Sequence, residues 1–419
     1  MKRFIGIAVI FALAATSVFA QSGPRVSGEI QAGANLIMSD AGDDSEIMVS
    51  GRSQNILQAR IRFDAGDDRL GARVRISARN NAEWWGQDAF AFVWWRPVDI
   101  FRIQLGRNPD GDWGGNQISG WGFTGNAQEF VAVDQDSNDG LIHAGRRIDR
   151  FGFAPGFHTA QALTLSLFPI DGLTVNVGVP FTDGDRLAED VYKQMTANII
   201  WNISNVGRLF VAFQGGTGIN TGEEFATLFN NDGRAGWNIR EANAFWASFF
   251  SNQLIPVDGL SFDFGIGFRL PEEVDGVDIQ PPMEIGLGLR YTQGDFDVRF
   301  RFGSSLIGQA KAGDTTVAIP TLLGFTLLPN YNLGFMRAFL NVGMEVQVDD
   351  DGVVAESNGD SKTYVAWFVN PYIQIPAGGL NFFAGFKLYY GRDRDGGGAF
   401  DDNGMQINWK VPIGIIYNF

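Results

Sequence analysis

The sequence predicts an all-β fold: a closed antiparallel transmembrane β-barrel of about eighteen strands, with sixteen as the alternative count. Three observations point there. Segments of about ten residues with polar–apolar alternation recur to the end of the chain. The connections between them alternate between short turns and long polar loops. Glycine (54) and phenylalanine (36) are abundant, yet the mean hydropathy is only −0.04. Past residue 20 no stretch approaches the ~20 consecutive apolar residues that a spanning helix requires.

The first residues are not expected to belong to the fold. Lys2 and Arg3 precede an apolar run from Phe4 to Ala15, and Val18-Phe19-Ala20 offers residues acceptable to a signal peptidase. Residues 1–20 are therefore read as a cleaved signal peptide and residues 21–419 as a single barrel domain. The apolar run is too short to span a membrane as a helix. The sequence contains no cysteine, which argues against a lipid anchor and rules out disulfides. Removal of Lys2 and Arg3 takes the formal net charge from −15 to −17, an acidity unsuited to nucleic acid.

Strands are expected at 26–37, 54–64, 70–79, 88–96, 100–107, 158–168, 172–180, 192–202, 207–216, 241–250, 260–270, 283–292, 295–305, 315–327, 335–348, 362–374, 379–391 and 405–419. Residues 58–64 and 72–79 alternate most clearly, and residues 297–302 repeat the pattern. Each such strand has one wet and one apolar face. The wet face points outward in a soluble sandwich and inward in a membrane barrel, so alternation alone does not separate the two. Connection lengths do. Short turns fall at Ala65–Arg69, Pro97–Asp99, Pro169–Asp171, Thr292–Gly294 and Ile375–Gly378, with others at Ser204-Asn205, Pro256–Gly259 and Leu328-Pro329-Asn330. Between them lie loops 38–53, 80–87, 108–157, 181–191, 217–240, 271–282, 306–314, 349–361 and 392–404. Short periplasmic turns and long extracellular loops are the asymmetry of membrane barrels, and an even strand number puts both chain ends on the short-turn side. Trp94-Trp95, Phe168, Trp201, Phe249-Phe250 and Tyr291 stand just before short turns, as an interfacial aromatic girdle requires. The competing explanation is that aromatics are common strand formers.

In the last strand Ile413, Ile415, Tyr417 and Phe419 share one face, and the sequence ends on Phe419. This resembles the C-terminal signature of outer-membrane proteins. Together with the N-terminal segment and the loop rhythm, it makes residues 21–419 resemble the general and substrate-specific porin class. The resemblance implies an outer-membrane location with lipid around the barrel, and a lumen that passes small hydrophilic solutes. It also implies that Tyr417 and Phe419 form the signal read by the barrel-assembly machinery. A homotrimer would follow only by analogy with that class. In general porins the third extracellular loop folds into the barrel, and its acidic residues face an arginine ladder on the wall.

The alternation places Arg60, Arg62, Arg73, Arg75, Arg79, Arg102, Arg299 and Arg301 on the lumen side. An arginine on the lipid face at mid-membrane costs roughly 2–4 kcal/mol, so a regular series of them must face water. The long third loop, 108–157, carries Asp110, Asp112, Glu129, Asp134 and Asp136. By loop order, length and charge it matches the constriction loop of the class, although the short loop sequence associated with that class is absent. It is expected to narrow the lumen; the alternative is a solvated surface cap. Closely spaced arginines repel unless paired. The loop acids would pair them, with Asp64 and Asp297 as nearer alternatives.

No catalytic residue, metal site or cofactor is expected. The histidines, His143 and His158, show neither a nucleophile–base arrangement nor metal-ligand spacing. Asp134–Gly140 begins like a calcium loop, but its glycine is one place late and Gly145 stands where a glutamate belongs. Gly215-Gly216-Thr217-Gly218 opens no helix and so makes no phosphate cradle. The expected function is passive diffusion of small hydrophilic solutes, with loop 108–157 setting the aperture against the arginine ladder. The alternative is a surface-exposed adhesin or structural outer-membrane protein with an occluded lumen.

Overall fold

The computed structural model describes residues 24–38, 57–79, 90–107, 161–180, 195–215, 243–270, 277–280, 283–306, 308–312, 315–319, 321–348, 364–392 and 405–419. The proposed signal peptide, residues 1–20, lies outside them. The first strands are β1 (Arg25–Met38), β2 (Leu57–Gly66), β3 (Leu70–Arg79), β4 (Phe90–Val98), β5 (Phe101–Arg107), β6 (Gln161–Leu167) and β7 (Leu173–Pro180). There follow β8 (Thr196–Ile203), β9 (Gly207–Gln214), β10 (Asn243–Ser251), β11 (Leu260–Leu270), β12 (Val277–Gln280), β13 (Met283–Gln293), β14 (Phe296–Leu306) and β15 (Gly308–Ala312). The last are β16 (Thr315–Ile319), β17 (Thr321–Asn332), β18 (Arg337–Val348), β19 (Tyr364–Ala377), β20 (Leu380–Gly385), β21 (Lys387–Arg392) and β22 (Met405–Asn418).

Nineteen of these segments form one antiparallel sheet. β20 and β21 flank Phe386 and pair in one continuous register with β19 on one side and β22 on the other, so they are two halves of a single stave. The wall thus has eighteen staves, the number expected from the sequence. β1 pairs with β2 on one side and with β22 on the other, from Glu29↔Asn418 to Asn35↔Pro412, which closes the sheet. Closure removes the unpaired edges that an open sheet would present.

Residues directly opposite one another on antiparallel strands share a face. Following those pairs around the wall traces one polar face: Asp64 opposite Arg73, Gln104 opposite Thr164, Asn176 opposite Asn198, Asp297 opposite Asn330, and Asn341 opposite Asn370. Many of these groups are hidden from solvent; Asn198 and Asn370 are 2% and 0% exposed. The alternate positions carry exposed apolar side chains such as Trp95, Leu105, Phe264 and Ile407, the last 64% exposed. A soluble protein has the reverse partition. Here the polar face lines the inside of the barrel and the apolar face its outside.

The short turns are held by specific residues. Asp67 accepts hydrogen bonds from the amides of Arg69 (2.8 Å) and Leu70 (2.9 Å), while Gly66 takes a positive φ of 103° that a side chain would resist. Arg69 then pairs with Asp99 at 3.1 Å, tying this turn to the next short one.

Three local expectations differ from the structure. The strand expected at 315–327 divides into β16, outside the wall, and β17, which runs through the supposed turn Leu328-Pro329-Asn330. Pro329 still faces Val298 of β14, while the ladder to β18 is interrupted at Leu328 and Pro329, where the proline has no N–H to give. The chain reverses at Leu333–Met336 instead, with Gly334 at φ 85°. Second, the supposed loops 271–282 and 306–314 contain β12 and β15, which form a small sheet with β16. The β14–β17 hairpin thereby continues as β15–β16 beyond the wall, and β12 joins its edge.

Third, the aromatic girdle is split between faces. Trp94 lies on the polar face opposite Gly71 and Gln104, its indole N–H donating to the Asp67 carbonyl at 2.9 Å. Phe250 is on the same face, opposite Arg208 and Asp263, and Phe168 lies under the guanidinium of Arg96 at 4.7 Å. Trp95, Trp201, Phe249 and Tyr291 keep the outward positions. Consecutive residues of a strand alternate, so a pair such as Trp94-Trp95 cannot point one way.

The seam offers a direct test of closure. Phe419 and Gly28 exchange backbone hydrogen bonds at 2.8 and 3.0 Å, and a methyl on Gly28 would stand 2.3 Å from the Phe419 ring. Gly28→Val is expected to lower unfolding stability by about 1–3 kcal/mol through overpacking, measured by urea unfolding of the refolded barrel. A pH test applies to the first turn. Amide donation from Leu70 and then Arg69 holds the Asp67 carboxyl below the ordinary carboxylate range. Its stabilising contribution is present above the unfolded value and lost as pH falls through the folded one. Asp67→Ala should flatten the acid limb of the stability–pH curve.

Candidate functional site

The candidate site is the inner face of the wall, and its charges are arranged by strand register. Arg60 and Arg62 of β2 stand opposite Ser77 and Arg75 of β3, Arg73 opposite Asp64, and Arg79 at the register position opposite Gln58. Arg102 is opposite Ser166, while Arg299 and Arg301 of β14 are opposite Arg290 and Gly288. All eight arginines expected on the lumen side therefore occupy the register positions of the polar face.

Like charges directly opposite one another destabilise a strand pair. The Arg62–Arg75 and Arg290–Arg299 juxtapositions are each relieved by a carboxylate one step nearer the turn. Asp64 accepts from Arg62 Nε at 2.6 Å and from Arg73 Nε at 2.5 Å. Asp297 accepts from Arg290 Nε, from Arg299 Nε at 3.2 Å, from the Thr292 hydroxyl at 2.8 Å and from the Asn330 amide at 3.0 Å. The two sequences that build this device read as mirror images, Arg60-Ile61-Arg62-Phe63-Asp64 and Asp297-Val298-Arg299-Phe300-Arg301. One strand enters its short turn and the other leaves one, so each carboxylate lies on the turn side of the opposed arginine pair. Glu29 of β1 pairs in the same way with Arg60 at 3.6 Å.

The wall thus carries its own counter-charges. Asp64 and Asp297, the nearer alternatives to the loop acids, engage two arginines each. The loop acids Asp110, Asp112, Glu129, Asp134 and Asp136 lie outside the described residues, as do His143 and His158. Tyr417 and Phe419 are exposed at the outer face, their rings stacked at 5.8 Å.

Sequence reasoning missed several inward residues. Arg208, Arg290 and Lys387 share the polar face, with Lys387 2% exposed and its ammonium 5.6 Å from the Phe368 ring. Isolated cations between apolar residues give no ladder pattern, so they went unseen. Nor is the inner face wholly polar. Leu328, Tyr372, Phe383 and Ile416 form a buried cluster inside the wall, extended by Phe339, and Ile200, Phe210 and Ala212 form a second. The signal was present as apolar doublets, Leu327-Leu328, Phe382-Phe383, Ile415-Ile416 and Ile199-Ile200, in which one member points out and the other in. Both clusters lie towards the short-turn end.

No family model matches the chain, and no curated protein matches it significantly. Among solved structures, it is similar to Pseudomonas aeruginosa OccK2 (OpdF) in complex with glucuronate, with a TM-score of 0.51, 10% identity, and coverage of 94% of this chain and 98% of that one. The outer membrane channel DcaP of Acinetobacter baumannii aligns at a TM-score of 0.47 and 11% identity, over 96% and 99% of the two chains. An anion-selective porin from Comamonas acidovorans aligns at 0.45 and 11%, over 95% and 99%. The likeness to OccK2 is one of fold: a closed antiparallel barrel of the porin kind.

The two carboxylate bridges differ in burial, and so in consequence. Asp297 is 8% exposed and accepts from four side chains, so Asp297→Asn should destabilise the barrel by about 2–4 kcal/mol. Asp64 is about a quarter exposed, and Asp64→Asn should cost about 1 kcal/mol or less. Urea unfolding of both variants in parallel checks the order.

Proposed function

We propose that this chain is an exported outer-membrane porin that lets small hydrophilic solutes diffuse passively through its lumen. The observation that carries the reading is the inverted partition of the closed barrel, with polar groups within and exposed apolar side chains such as Ile407 and Leu105 around the outside. An apolar surface that surrounds the molecule suits lipid and would drive aggregation in water. A barrel of sixteen to eighteen strands is wide enough to leave an aqueous channel.

In this reading residues 1–20 direct export and are cleaved, and Tyr417 and Phe419 are read by the barrel-assembly machinery. Loop 108–157 narrows the lumen and sets Asp110, Asp112, Glu129, Asp134 and Asp136 against the wall arginines Arg60, Arg62, Arg73, Arg75, Arg79, Arg102, Arg299 and Arg301. Transport then involves no chemical step; solutes are filtered by size and by field. Because Asp64, Asp297 and Glu29 offset part of the arginine charge, the field across the aperture is set by the net charge of the wall and not by the arginines alone.

Single-channel recording in planar bilayers tests this reading. Refolded residues 21–419 are expected to give discrete conductance steps, and deletion of residues 109–140 to enlarge them. A folded barrel that stays silent would sink the porin and favour a structural or adhesive protein with an occluded lumen. Unchanged steps after the deletion would make the loop a surface cap.

A further inference from the structure

One cavity in the inner wall combines arginines with an aromatic ring. It measures about 140 Å³ and lies at the short-turn mouth, between β13, β14, β17 and β18. Three arginines line it, Arg290, Arg299 and Arg337. Asp297 engages Arg290 and Arg299 through their Nε atoms, which fixes both side chains against the wall. Arg337 is exposed and makes no ion pair among the described residues. The remaining carboxylate, Asp295, is exposed at the rim and accepts from the Asn332 amide at 3.3 Å. Three cations against two carboxylates leave an excess of positive charge.

Part of the cavity's lining is apolar. Leu328, paired with Arg299 across β14 and β17, and Phe339, two residues from Arg337 on β18, both line it, and Phe339 is held flat by Tyr372, ring on ring at 4.4 Å and 4°. Tyr372 belongs in turn to the buried cluster with Phe383 and Ile416. The aromatic surface is therefore rigid, and it loses little side-chain freedom on meeting a ligand. Guanidinium groups match carboxylate and phosphate oxygens in geometry as well as charge. A rigid ring beside them suits an apolar body.

We propose that this cavity binds an organic anion, with a carboxylate or phosphate head held by arginines of its lining, Arg290, Arg299 and Arg337, and an apolar body against Phe339 and Leu328. The site goes beyond diffusion through the pore. It sits at the short-turn mouth rather than at any aperture set by loop 108–157, and it does not require an open lumen.

Calorimetric titration of the refolded full barrel in detergent at low ionic strength tests the site, using benzoate, phenylphosphate, inorganic phosphate and benzyl alcohol as probes. One or both aromatic anions should bind with unit stoichiometry, inorganic phosphate more weakly, and benzyl alcohol not measurably. Whichever head group binds more tightly identifies the preferred oxyanion. Arg337→Gln, at an exposed position where folding is not at stake, should weaken the aromatic anions about tenfold, the loss of one charge-assisted contact. Phe339→Leu should weaken them while leaving inorganic phosphate unchanged. Wild-type affinity in Arg337→Gln would overturn the proposal, as would benzyl alcohol binding as well as benzoate, or inorganic phosphate binding as well as phenylphosphate. Calorimetry reads binding without conductance, so a silent bilayer leaves this result standing, and a conducting barrel that binds none of the probes refutes the site alone.

Discussion

Everything in this structure depends on the seam between the first and last wall strands. Pairing β1 with β22 leaves the wall no edge, so its outermost strands have partners on both sides. The same closure converts strand alternation into a property of the whole molecule. With period two along each strand and direct pairing across each ladder, choosing the face of one residue chooses it for its partners on the next strands, except where the ladders shift register, between Asn35 and Met38 and between Trp95 and Val98. Gly28 and Phe419 show how tightly the seam is drawn: they exchange backbone hydrogen bonds, and a Cβ on Gly28 would meet both the Phe419 ring and the Arg60 carbonyl.

Charge inside such a wall has to be neutralised locally. Arginines brought opposite one another by register cannot move apart, since the ladder fixes the spacing of the strands. Asp64 and Asp297 relieve the conflict from equivalent places, one step towards the short turn of their hairpins. At the same end, inward-facing apolar clusters around Leu328 and Phe210 replace polar lining. Apolar packing and bridged charges thus occur together near the short turns, where the Arg337 cavity also lies.

The sequence was informative where a rule acts on neighbours in the chain. Period two in residues 58–64 and 72–79 gave their faces, and glycine-, proline- and asparagine-rich reversals separated short turns from long connections. The stave count of eighteen followed. It misled where the deciding contact lies on another strand. Leu328-Pro329-Asn330 has the composition of a turn, yet β14 holds it in the wall as far as Tyr331. Adjacent aromatics look like a belt until pleating sends Trp94 inward and Trp95 outward.

By itself, then, the sequence determined the barrel class, the stave count and the face of the arginine-rich strands, because each is a consequence of local periodicity and turn chemistry. Only the tertiary structure decided which charges meet. Arg290 becomes a partner of Asp297, and lines one cavity with Arg337 and Phe339, through cross-strand register among β13, β14, β17 and β18. Register is fixed by the hydrogen-bond ladders of the assembled wall, and no single segment contains it.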